Sequence, residues 1–262
     1  MSTKTIAVMN NKGGVGKTTL TAGVANALAS KGKKILIIDT DGQANASLLF
    51  GYDPTIDHGE ERLYNLILKK IKKEPALAQD YILETKYENI DIITGDGDLE
   101  NIRGDIEKAL MRGRRVYKQI VADIKQLDFY DYIFFDTAPS LDGSSVQILM
   151  ASDYLLIPTT DSRFSTAGVG ITLELLDDMA DWEEDVKLLG IVLNNVSSKA
   201  ALTKDIRDYF DANEVTKGKV FEAVLETSNV AKKLDWNGLK VSKNKTFVSF
   251  DAIAEEVIER IG

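Results

Sequence analysis

Cysteine is absent from the 262-residue chain, and histidine occurs once, at His58. The first absence removes disulfides, thiolate nucleophiles, iron–sulfur ligation and cysteine zinc sites together, and a lone histidine cannot anchor a histidine metal cluster. Any bound metal is therefore expected on oxygen ligands. No stretch reaches the roughly 18 to 20 uninterrupted apolar residues of a membrane span. Met1-Ser2-Thr3-Lys4 runs straight into a strand-like segment with no signal-peptide core. A cytoplasmic protein is expected. Positive charge is also in deficit: the net charge is −9 at pH 7. That argues against a surface that coats nucleic acid everywhere, while leaving room for local basic patches.

What is present is a 44% apolar composition, enough for a full core in a single domain spanning 1–262. Apolar runs of strand length (Ile6 to Met9, Ile35 to Ile38, Ile90 to Ile93, Ile133 to Phe135, Leu155 to Ile157, Leu188 to Leu193, Val220 to Val224) alternate with helix-length amphipathic segments. This is the βαβ pattern. Most of the runs are continuously apolar, as strands buried on both faces are. The expected fold is α/β: a doubly wound, mostly parallel sheet with helices on both faces. Helices are expected over Thr18 to Ser30, Arg62 to Lys73, Asp98 to Leu127, Thr166 to Met179, Lys204 to Phe210 and Phe250 to Ile261, with Gly32 and Gly51 as stops. The polar segment from Tyr52 to Asn89 reads as a solvated helical excursion.

Directly after the first strand comes Asn11-Lys12-Gly13-Gly14-Val15-Gly16-Lys17-Thr18-Thr19, followed by a helical pattern. Strand, glycine loop and helix make the setting of a P-loop. Glycines let successive backbone N–H groups turn inward around phosphate oxygens, and the helix dipole favours negative charge there. Lys17 is expected to bridge the β- and γ-phosphates, and the Thr18 hydroxyl to ligate magnesium. ATP and Mg2+ are the expected cofactors. The strict pattern has glycine where this chain has Asn11, and asparagine is the best substitute at a left-handed backbone position.

In an open parallel sheet the ligand lies beyond the carboxyl ends of the strands. Asp136 ends Tyr132-Ile133-Phe134-Phe135 as a Walker B aspartate does, and is expected to hold the magnesium. Asp39 and Asp41 follow Ile35-Leu36-Ile37-Ile38 in the same way. One of them is expected to orient the attacking water, and Asp39 is also a candidate on the metal side. Asn194 and Asn195 end the Leu188 to Leu193 strand, where an amide can read an adenine edge.

These residues resemble the ParA/MinD group of deviant Walker A ATPases, and the match runs through most of the chain. Lys12 to Thr19 resembles its signature, in which a second lysine precedes the glycines. Asp39-Thr40-Asp41-Gly42-Gln43-Ala44-Asn45-Ala46-Ser47 resembles its switch segment, with Gly42 replacing a usual proline, and Asp136-Thr137-Ala138-Pro139-Ser140 its Walker B segment. The resemblance implies a homodimer that sandwiches ATP, with Lys12 crossing to the partner's phosphates. It further implies that Asp41 positions the water and that hydrolysis is slow until a ParB-like adaptor stimulates it. A cation delivered in trans does the work of an arginine finger.

Sibling families separate by what is missing. Iron–sulfur and arsenite-pump relatives use cysteines. MinD proteins end in a basic amphipathic helix that lies on anionic membrane, whereas this chain ends Ala254-Glu255-Glu256-Val257-Ile258-Glu259-Arg260-Ile261-Gly262, so no membrane partner is expected. What remains resembles the small ParA or Soj type, which partitions plasmids or chromosomes and binds DNA without sequence preference. The family's usual Pro-Arg pair is replaced here by Glu226-Thr227. From Ser228 to Phe247, however, Lys232, Lys233, Lys240, Lys243 and Lys245 face Asp235 alone. With Lys199, Lys204 and Arg207 they form the candidate DNA patch. Arg103, Lys108, Arg112, Arg114, Arg115 and Lys118 make a second basic stretch. The alternatives are a MinD-like spatial regulator and a dethiobiotin-synthetase-like metabolic enzyme, which needs no Lys12.

Overall fold

The computed structural model describes residues 2–56, 59–196, 201–226 and 245–262. Its strands are β1 (Lys4–Val8), β2 (Ile35–Asp39), β3 (Leu83–Glu84), β4 (Ile90–Ile93), β5 (Tyr132–Asp136), β6 (Tyr154–Thr159), β7 (Lys187–Val196) and β8 (Leu225–Glu226). They form one 8-stranded sheet in the order β3-β4-β2-β5-β1-β6-β7-β8. All neighbours run parallel except the edge pair β3 and β4. The sheet is thus mostly parallel, and β1 lies between β5 and β6, so the loop leaving β1 opens beside the carboxyl end of β5.

Alternation along each strand feeds two cores. Ile6 and Val8, Ile35 and Ile37, and Phe134 pack with helices α1 (Lys17–Ser30), α2 (Asn45–Leu49) and α9 (Lys245–Ile261). Ala7, Leu36, Ile38, Ile133 and Phe135 pack on the opposite face. There they meet α3 (Leu63–Lys72), α4 (Leu99–Met111), α5 (Val116–Lys125), α6 (Gly143–Met150), α7 (Arg163–Asp177) and α8 (Ala201–Asp211). Helix α9 lies directly on α1. A β-carbon at Gly23 would stand 2.2 Å from the Phe250 ring, so glycine there sets how closely the two helices approach. The apolar face of α9, with Phe250, Ile253, Ala254 and Val257, is spent on this contact.

Three expectations change. The helix expected over Asp98 to Leu127 is two helices, because α4 ends in a Schellman cap: Gly113 sits at φ 73° with its N–H on Leu110 O, and Arg114 N–H reaches Ala109 O. The strand expected over Val220 to Val224 is mostly unpaired with the sheet. Val220 makes an isolated bridge to Ile191, and the Glu222 main chain is taken by side chains, its N–H by Glu256 and its carbonyl by Arg207. Regular pairing resumes only at β8. The segment from Tyr52 to Asn89 is more than a solvated excursion, since Leu63, Leu66, Ile67, Ala78 and Tyr81 are buried and β3 extends the sheet.

Candidate functional site

Between β1 and α1 the chain turns through Gly14 at φ 76° and Gly16 at φ 88°, conformations that cost an L-residue with a side chain about 1–2 kcal/mol. At Gly16 a β-carbon would also fall 2.0 Å from Asn194 Nδ2. Asn194 ends the regular part of β7 and donates that Nδ2–H to Val15 O at 2.7 Å, bracing the loop from beneath. Lys12, Gly13 and Gly14 are exposed along the rim, Thr18 and Thr19 are half-buried, and Val15 and Lys17 are buried. Asn11 keeps an ordinary negative φ. The left-handed rationale for its departure from glycine is therefore wrong: the turn is made by Gly14 and Gly16.

The Lys17 ammonium donates to Asn10 O at 3.2 Å. Burial pushes its pKa below the usual lysine value, and Asp136 and Asp41 pull the other way. Asp136 and Asp39 are register neighbours on β5 and β2, and both are fully buried. Thr18 Oγ1 donates to Asp136 Oδ2 at 2.7 Å and Thr21 Oγ1 to Oδ1 at 3.3 Å. Burial raises the Asp136 pKa, Asp39 raises it further, and Thr18 and Lys17 partly oppose this. Asp39 is likewise raised by burial and partly restored by Ser47, whose N–H and Oγ–H both reach Oδ2 at 2.7 Å. Two adjacent buried carboxylates with one nearby lysine make a site short of positive charge. A divalent cation would supply it, and the oxygen donors of Thr18 and Asp136 fit magnesium.

The AAA domain family (AAA_31) matches residues 3–188. Chromosome partitioning protein ParA of Caulobacter vibrioides is 27% identical over 98% of this chain and 94% of its own. The chain belongs to the ParA/MinD family of P-loop ATPases. Two solved structures share the fold of this ATPase. A Cyanothece McdA variant in complex with ATP has a TM-score of 0.82 at 22% identity, covering 100% of this chain and 97% of that one. Cobyrinic acid a,c-diamide synthase from Mycobacterium smegmatis, with bound ADP and magnesium, has a TM-score of 0.80 at 22% identity over 99% and 95%.

In this ParA/MinD ATPase the segment from Asp39 to Ser47 lies on the same edge. Thr40 N–H and Oγ–H both reach Asp136 O, at 2.9 and 2.8 Å, so the segment is stitched to β5. Asp41 is buried and accepts Gln43 N–H at 2.9 Å. A β-carbon at Gly42, where the family has proline, would meet the Glu100 side chain at 2.8 Å. In this chain Glu100, which pairs with Arg103, occupies the space beside that position.

The remaining candidates are scattered. Asn194 braces the loop, and Asn195 is exposed at φ 56°. Lys204 and Arg207 lie on α8 among Asp205, Asp208 and Asp211, and Arg207 donates to Glu222 O. Lys199, Lys232, Lys233, Lys240 and Lys243 lie outside the described residues, and Lys245 opens α9. The second basic stretch is largely neutralised: Arg103 pairs with Glu100 and Asp142, Lys108 with Asp105, and Arg115 and Lys118 with Glu184. Arg114 donates to Ile71 O. Sequence reasoning gave no role to Ser47, Thr21 or Asn10. Ser47 stood inside the switch motif, but its hold on Asp39, and on Gly95 N–H at 2.9 Å, is tertiary.

Proposed function

We propose that this protein is an ATP-hydrolysing DNA-partitioning switch, carried by one observation: Lys12 lies exposed on the rim of a cradle whose own lysine, Lys17, is already buried inside. Two lysines at one phosphate site have separable jobs. Lys17 serves the β- and γ-phosphates of its own nucleotide, and Lys12 serves a second protomer. ATP and magnesium bind at Gly13 to Thr19, with Thr18 and Asp136 on the metal and Asp39 behind them, tied to Ser47. Thr18 and Asp136 would hold the magnesium, which would supply positive charge to offset the charge developing on the phosphates. Asp41, set by the Gln43 N–H, orients the attacking water. Asn195, whose side chain is exposed, is the residue left to read the adenine edge, since Asn194 holds the loop.

In this reading ATP closes a homodimer in which each Lys12 completes the partner's site, and the dimer binds DNA without sequence preference. A ParB-like adaptor stimulates hydrolysis and releases the DNA, so the protein is cytoplasmic and associated with the nucleoid. DNA contact falls to Lys199, Lys204, Arg207 and the lysines between Ser228 and Phe247. The curated ParA relative supports partition as the task. A dethiobiotin-synthetase-like metabolic enzyme is the alternative, and a MinD-like regulator is disfavoured because the apolar face of α9 packs on α1.

Fluorescence anisotropy with two unrelated duplexes, with ATP, with ADP and without nucleotide, tests this. ATP alone should switch on binding equal for both duplexes. With about 6 phosphate contacts per dimer, log K against log salt should slope roughly −5. Equal affinity in all three nucleotide states removes the switch, and no binding at low salt favours the alternatives.

A further inference from the structure

We propose that Asn10 is the positioning residue for Lys12: its buried side chain fixes the backbone from which that lysine is presented. Asn10 follows β1 and is fully buried. Its Nδ2 donates to Pro158 O of β6 at 2.9 Å, and its Oδ1 accepts Lys12 N–H at 2.9 Å. One amide therefore ties the residue that begins the signature to a strand that lies on the side of β1 opposite β5. The far wall is Gly168 of α7. A β-carbon there would lie 2.5 Å from Asn10 Oδ1, 2.7 Å from Asn11 Oδ1 and 3.4 Å from Lys12 Cβ. Residues 10–12 are thus an arch clamped between β6 and α7, with no room for a methyl group on the helix.

The phosphate cradle is held by other means. Its turn comes from Gly14 and Gly16, its brace from Asn194, and its helix from α1. The Lys17 ammonium hydrogen-bonds to the main-chain oxygen of Asn10, which survives any side-chain change. The Asn10 side chain accordingly bears on Lys12 and leaves nucleotide affinity to the cradle. The catalytic consequence rests on the proposed role of Lys12, whereas the conformational one does not.

Asn10→Ala removes both bonds, and Gly168→Ala pushes a methyl group into the arch while favouring the helix, so the second variant remains informative should the first fold poorly. Losing a clamp of about 1–1.5 kcal/mol corresponds to roughly a tenfold effect. Trypsin cleavage of the Lys12–Gly13 bond, followed by mass spectrometry against cleavage after Lys118, should rise about tenfold in Asn10→Ala, from that bond energy, and should also rise in Gly168→Ala, where the methyl group displaces the arch. ATP turnover should fall by about as much with Kd for ATP changed less than about threefold, and Asn10→Ala should add nothing in a Lys12→Ala background. Unchanged cleavage after Lys12, or an affinity loss as large as the turnover loss, overturns the proposal. Full turnover in Lys12→Ala alone overturns the role of Lys12, and the cleavage rates still decide the role of Asn10.

Discussion

Gly16→Ala tests how the cradle is built. The substitution places a side chain at φ 88°, about 1–2 kcal/mol for the left-handed backbone. It also puts a β-carbon 2.0 Å from Asn194 Nδ2, which must move and leave the Val15 carbonyl without its buried donor, about 1–3 kcal/mol. Together the change costs roughly 2–5 kcal/mol, a factor of about 30 to several thousand at 1.4 kcal/mol per decade. The cost is read as the summed change in unfolding free energy from urea titration and in ATP binding free energy from calorimetry. In an Asn194→Ala background the clash is gone, and only the backbone part of about 1–2 kcal/mol should remain. A double-mutant cycle should thus return a coupling of roughly 1–3 kcal/mol. If the two changes add to within about 0.5 kcal/mol, Asn194 does not brace the loop. If Gly16→Ala costs under about 1 kcal/mol, the left-handed turn is not required.

Other expectations follow from the same contacts. Lys17→Ala should weaken ATP binding by about 10- to 100-fold, the worth of a charge-assisted bond, and undiminished affinity in calorimetry would contradict the cradle. Gly23→Ala should lower stability by about 1–3 kcal/mol, or roughly 2–12 °C in Tm. Scanning calorimetry checks this, and ATP affinity should be retained, because the clash is with Phe250 on the far side of α1. Ser47→Ala removes one of two donors to Asp39 Oδ2 and the acceptor for Gly95 N–H. A cost of about 1.5–3 kcal/mol in urea is expected, and a neutral result would mean the switch is not anchored there.

The centre of the sheet was legible because its strands are buried on both faces and therefore read as unbroken apolar runs. The glycine loop was legible because its chemistry is local to one turn. Edges were harder. Val220 to Val224 has strand composition, yet Arg207 and Glu256 take the main chain of Glu222, and no local pattern announces that. Gly113, a helix-ending glycine like Gly32, marked the break between α4 and α5 and was passed over within a long amphipathic pattern. The pairing that neutralises much of the second basic stretch is not legible in sequence, because its main counterion, Glu184, lies 66–69 residues away. Asn10 and Gly168 were invisible for the same reason, since each matters only through what the fold sets against it.

Light scattering of the wild type, Asp41→Ala and Lys12→Ala in saturating ATP and magnesium decides whether Lys12 crosses between protomers. A stable dimer is expected for Asp41→Ala, because water positioning is lost while the cradle survives, and a monomer for Lys12→Ala, because the cation that crosses to the partner is gone. A monomeric Asp41→Ala, or a Lys12→Ala dimer as stable as the wild type, would contradict it.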